Sequence, residues 1–126
     1  MPKKELQPSE LKVMQVVWSN APIRASEIVA QLVSETGWSK NTIYTLITRA
    51  VNKGFIQRTD PGFICTPLVS REEIQRHENQ TLLNRLYNGS AKQLFARMMG
   101  DHTFSKEDLT DIRAMLDQEE KKNHDS

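Results

Sequence analysis

The sequence predicts a mainly α chain in two parts: three helices and a β-hairpin, then three more helices. Three observations point there. Apolar side chains recur at helical spacing in six stretches. Two short β-type runs flank Asp60-Pro61-Gly62. Near residue 69 large apolar residues thin out and polar ones take over. At 126 residues, 37% of them hydrophobic, the chain is long enough for one ordinary domain or two very small ones. No apolar run approaches the roughly 18 to 20 residues of a membrane span, which excludes membrane insertion.

The first helix is expected over residues 8–19. Pro8 suits a first helical turn, and Leu11, Met14, Val17 and Trp18 follow at helical spacing. Asn20-Ala21-Pro22 breaks it. Ile28 and Leu32 mark a second helix over 25–36, with Glu27 near its positive end and Gly37 as its stop. Ser39 can cap a third over 40–53. Its inner stripe is Ile43, Leu46, Ile47, Ala50 and Val51; its other face carries Lys40, Asn41, Thr42, Tyr44, Thr45, Thr48, Arg49 and Asn52. Gly54 ends it. The hairpin follows, 55–59 and 63–67, with Pro67 confining the second strand to an edge or an end.

Ser70-Arg71-Glu72-Glu73 is a capping box that opens a polar helix over 71–88. Ala91 to Met99 gives a short helix closed by Gly100. Ser105 starts a last one over 106–120, and the charged tail from Glu119 is expected to fray. The domain boundary is placed at 69/70, giving 1–69 and 70–126. The second part has too few large apolar residues to close a core alone. Leu82, Leu86, Leu94, Phe95, Met98, Leu109, Ile112 and Leu116 need an outside surface, and a second copy of the chain is the simplest supplier.

Net charge is only +1, but its distribution is informative. Residues 1–69 hold eight Lys/Arg against five acids; residues 70–126 hold nine against eleven. The 24 residues between Glu35 and Asp60 contain no acid, yet hold Lys40, Arg49, Lys53 and Arg58. Such a stretch suits a polyanion.

Helix, helix, capped helix with a polar face, and basic hairpin form the winged helix-turn-helix pattern. The third helix would enter the major groove with short polar side chains against base edges, and its cations would neutralise phosphates. Arg58 would bring the wing to the adjacent backbone or minor groove.

Residues 6–68 resemble the penicillinase repressor (BlaI/MecI/CopY) family of winged-helix transcriptional regulators. The matching strings are LQPSELKVMQVVW, GWSKNTIYTLITRAVNKGFI and FICTPLVS. Further on, RLYNGSAKQLFARMM and SKEDLTDIRAML also match, so the likeness covers nearly the whole chain. The resemblance implies a cytoplasmic homodimeric repressor on an inverted-repeat operator, controlling β-lactam-response or related genes. Its DNA-facing positions fall on Lys40, Asn41, Thr42, Tyr44, Thr45 and Arg49, with Arg58 for the wing. Tyr44 is a departure, because the family often has arginine there. The resemblance also implies relief by cleavage in the dimerisation domain, triggered by a membrane-bound sensor metalloprotease. The matching bond is Arg97–Met98, where the Asn-Phe pair of several members is absent. The chain ends without the cysteine cluster of the copper-responsive branch.

Other residues are read plainly. Trp18 and Trp38 are expected to pack rather than stack on bases. Cys65 is expected to be a small buried residue. His77, His102 and His124 lack ligand spacing, no phosphate loop or hydrolase motif appears, and no enzyme activity, metal or cofactor is expected. Two other readings stay open: a winged-helix module that binds a protein through the helix 3 face, and a DNA-binding repressor released by a small ligand.

Overall fold

The computed structural model describes residues 5–125. Lys3 and Lys4, counted in the basic first half, lie outside them. Element order is α1 (Pro8–Asn20), β1 (Ile23–Arg24), α2 (Ala25–Thr36), α3 (Lys40–Asn52), β2 (Ile56–Thr59), β3 (Ile64–Pro67), α4 (Arg71–Leu86), α5 (Ala91–Asp101) and α6 (Lys106–Asp125). The residues form two compact units that part after Glu78, so that α4 starts in one and ends in the other.

The first unit is a winged helix-turn-helix. Pro8 opens α1 and Gly37, at φ +76, closes α2. Val13, Met14 and Val17 of α1, Ile28 and Leu32 of α2, and Ile43 and Ile47 of α3 are all buried together. Burying each of these isoleucines contributes about 1.5–3 kcal/mol relative to exposure. Trp18 and Trp38 pack against this core half-buried, and the Trp18 indole N–H donates to the Val69 carbonyl at 2.9 Å. Arg71 bonds the Ser19 hydroxyl at 3.3 Å, and Ile74 completes the core from the first turn of α4. The expected capping box stands: Glu73 N–H donates to Ser70 Oγ (3.0 Å) and Ser70 N–H to Glu73 Oε1 (3.3 Å).

The sheet departs from the two-stranded expectation. Its order is β1-β3-β2, all antiparallel, with Ile23 opposite Cys65 and Arg58 also opposite Cys65 on the other side. β3 is therefore central, and Pro67 is tolerated because it ends the strand. β1 is two residues long, too short for any periodicity to reveal; pairing with β3 makes it a strand.

In the second unit, α4 stops at Leu86, two residues early, where Asn88 (φ +51) and Gly89 (φ +79) turn the chain left-handed. Two expectations are corrected. Gly100 lies inside α5, which ends one residue later, since a Cβ-less residue lowers helix propensity without stopping a turn already bonded. The tail does not fray at Glu119: α6 continues to Asp125 with no Gly or Pro to stop it, and Lys122 pairs with Glu119 at 3.3 Å. Among the described residues none after Ile74 is buried. Leu82, Leu94, Leu109 and Ile112 are half-buried, and Leu86, Phe95, Met98 and Leu116 are exposed.

Candidate nucleic-acid interface

The site is built on α3. Ser39 Oγ accepts the Thr42 N–H at 3.1 Å and donates to Thr42 Oγ1 at 2.9 Å, which fixes the start of the helix. Ile43, Leu46, Ile47 and Ala50 bury the inner stripe. That leaves Lys40, Asn41, Thr42, Tyr44, Thr45, Thr48 and Arg49 exposed on the other side, all on one element. Thr45 donates its hydroxyl to the Asn41 carbonyl (2.9 Å), so it offers a ligand an acceptor and a methyl group rather than a donor. Asn41, Tyr44, Thr45, Thr48 and Arg49 line an open concavity of about 670 Å³. A second one, about 400 Å³, adjoins it, where Ser9 and Trp38 face Asn41, Thr42 and Arg49.

The wing stands beside the helix through an aromatic contact. The Tyr44 and Phe63 rings are 6.5 Å apart and tilted by 48°. On Phe63 sits the Arg58 guanidinium, 3.6 Å from the ring centre. Asp60 holds that guanidinium too, accepting from Arg58 Nε at 3.0 and 3.2 Å. Asp60 Oδ1 also accepts the Phe63 N–H at 3.2 Å, which fixes the turn around a residue at φ +48. Tyr44 thus links the helix face to the wing.

The electrostatics differ from the sequence expectation. The acid-free stretch is answered by carboxylates from outside it, one far upstream and one at its end. Lys53 Nζ bonds Glu10 Oε1 at 2.7 Å, Arg49 Nε lies 3.9 Å from Glu10 Oε2, and Arg58 is paired with Asp60. Among the described residues Lys40 alone of the four bases has no carboxylate partner. Lys53 is turned away from solvent, 17% exposed, and ties the start of the chain by a bond to the Glu5 carbonyl (3.2 Å).

Sequence reasoning did not single out Glu10, Asp60, Phe63 or Ser9. Glu10 reads as an ordinary first-turn acid, and only tertiary packing makes it a buried one. Phe63 had a signal, an aromatic directly after a Pro-Gly turn. Cys65 is fully buried, and burial pushes its thiol above the usual range despite the opposing charge of Arg58.

In the second unit, Arg97 and Met98 lie within α5, with Arg97 Nε 4.0 Å from Asp101. Among the described residues no group of three His, Cys, Asp or Glu side chains is arranged to hold a metal. No helix among them is long and apolar enough to cross a membrane.

The chain is similar to known proteins along most of its length. It is 26% identical over 116 residues to the penicillinase repressor of Bacillus licheniformis, covering 90% of this chain and 91% of that protein. It is 28% identical over 114 residues to the methicillin resistance regulatory protein MecI of Mammaliicoccus sciuri, covering 89% and 93%. Its fold matches the solution structure of the Bacillus licheniformis BlaI monomeric form in complex with the blaP half-operator. There the identity is 28% and the TM-score 0.51, covering 57% of this chain and 90% of that one. The penicillinase repressor family model matches residues 6–118. A match that begins before α1 and runs into α6 makes the chain a member of the penicillinase repressor family.

Proposed function

We propose that the chain is a homodimeric transcriptional repressor that binds an inverted-repeat operator in duplex DNA through α3 and the β2–β3 wing. The observation that carries this reading is the outer side of α3: seven exposed polar, phenolic and cationic side chains on one capped helix, over a tightly buried stripe. A helix of this width fits the major groove, and its Thr and Asn side chains match base edges. Lys40 and Arg58 supply phosphate contacts and Arg49 adds a third cation to the same face, so affinity falls steeply with salt. The likeness to BlaI bound to a half-operator supports the same mode here.

Residues 1–69 serve as the DNA-binding domain and 70–126 as the dimerisation domain. Among the described residues none after Ile74 is buried, which supports the second assignment, because a stripe such as Leu109, Ile112 and Leu116 gains stability only when another surface covers it. Two linked reading heads engage a two-fold site with far higher avidity than one. Relief then follows from loss of dimerisation. A cut near Arg97–Met98 by a membrane-bound sensor metalloprotease would separate α6 from α4. Because both residues lie inside α5, that helix must open before the bond enters a protease. The regulated genes on this reading belong to a β-lactam response or a related one.

The test is titration of the full chain against duplexes drawn from a random pool, over a series of salt concentrations. Binding whose logarithm falls linearly with the logarithm of salt supports the reading. No complex with any duplex in dilute buffer overturns it.

A further inference from the structure

A buried carboxylate stands behind the exposed face of α3. Glu10 is completely inaccessible, and its two oxygens are used unequally. Oε1 accepts from the Gln7 N–H (2.8 Å) and from Lys53 Nζ (2.7 Å). Oε2 is buried and has no hydrogen-bond partner. The cation that faces it is Arg49, whose Nε is 3.9 Å away, just beyond bonding distance, and whose side chain is 48% exposed. A buried carboxylate oxygen without a donor is costly, so a donor that can reach it is held there. Arg49 has the freedom to do so; Lys53 is already committed to Oε1 and to the Glu5 carbonyl.

We propose that Glu10 is a positioning residue for Arg49. It draws the Nε–H inward onto Oε2, so that the two Nη groups face out as a rigid donor fork for a pair of acceptor oxygens or nitrogens on duplex DNA. The inference rests on the DNA-binding reading above. Covering the α3 face with a duplex removes water from Arg49 and strengthens the pull of the carboxylate, so the fork is set as the ligand arrives. The acceptor pair is a guanine edge or a phosphate, both of which take a guanidinium in two-point fashion. A lysine in the same place supplies equal charge but no Nε–H for Glu10 and no fork.

The experiment uses the full chain, a duplex selected by it from a random pool, and a scrambled duplex of the same composition. Arg49→Lys, Arg49→Ala, Glu10→Gln and the Glu10→Gln/Arg49→Lys double variant are compared across a salt series, with folding followed by helical circular dichroism. Arg49→Lys is expected to weaken binding to the selected duplex by about tenfold, approaching Arg49→Ala, while keeping the wild-type salt slope. Glu10→Gln is expected to lose a similar factor, and the double variant no more than either. Loss confined to the selected duplex assigns the acceptor pair to a guanine edge; equal loss on the scrambled duplex assigns it to phosphate. Arg49→Lys binding within twofold of wild type overturns the proposal, as does a double variant that loses the product of the single losses. Should Glu10→Gln fail to fold, the comparison of Arg49→Lys with Arg49→Ala still decides, since Arg49 is half-exposed. A wild-type chain that binds neither duplex overturns the DNA-binding reading itself, an outcome distinct from a variant that binds normally.

Discussion

Replacing Lys53 by methionine keeps most of the aliphatic stem and removes the ammonium 2.7 Å from Glu10 Oε1. The carboxylate left behind is fully buried, with one N–H from Gln7 and one oxygen that has no donor at all. Stripping one partner from a buried ion pair costs about 3–5 kcal/mol. The low end, about 3 kcal/mol, is expected, because Lys53 keeps 17% of its side chain in solvent and Arg49 is 3.9 Å from the other oxygen. For a folding unit of this size such a loss lowers the melting midpoint by roughly 12–24 °C. Urea denaturation followed at 222 nm, with wild type and Lys53→Met side by side, measures it. Adding Glu10→Met to the variant removes the stranded charge and is expected to restore most of the loss. A Lys53→Met chain within about 1 kcal/mol of wild type would mean the pair acts like an exposed one, and the reasoning from burial would fail.

Ser39→Ala removes the acceptor for the Thr42 N–H and is expected to cost about 1 kcal/mol, read as a lowered denaturant midpoint with unchanged slope; no shift would mean another group satisfies that amide. Leu109→Ser, Ile112→Ser and Leu116→Ser together are expected to give monomers by light scattering at micromolar concentration, and a surviving dimer would put the interface elsewhere. Cys65, buried with its thiol held above the ordinary range, is expected to resist a disulfide reagent at pH 8 in the native chain and react fully in urea; fast native reaction would contradict its burial.

How much of this was legible in the sequence depends on where each feature gets its definition. α2 comes out with the expected ends because local chemistry sets them: Ala25 follows a break, and Gly37 takes a left-handed conformation that other residues resist. Ser39, Ser70 and Ser105 cap as expected for the same reason. The exposed run from Lys40 to Arg49 is a matter of periodicity, and a one-face count finds it. β1, by contrast, exists only through its partner β3. The burial of Glu10 and its grip on Lys53 join residues 43 positions apart, and no local signal carries that distance. The acid-free stretch misled in one respect: its charge is counted along the chain, whereas Glu10 and Asp60 neutralise it through space. The Arg58–Phe63–Tyr44 contact likewise depends on how the hairpin lies against α3.

The short strand β1 has a consequence for how a duplex would be gripped. It places β3 in the middle and, with the Ala25 N–H at the head of α2 bonded to the Phe63 carbonyl at 2.9 Å, fastens the turn end of the wing to the entrance of α2. The hairpin then cannot pivot freely about its own base. On the proposed mode of binding, the spacing between α3 and Arg58 would act as a gauge, and a duplex too wide or too flat for it would itself have to bend to fit. Sequences whose grooves already have the right span would be favoured at base pairs that no side chain touches.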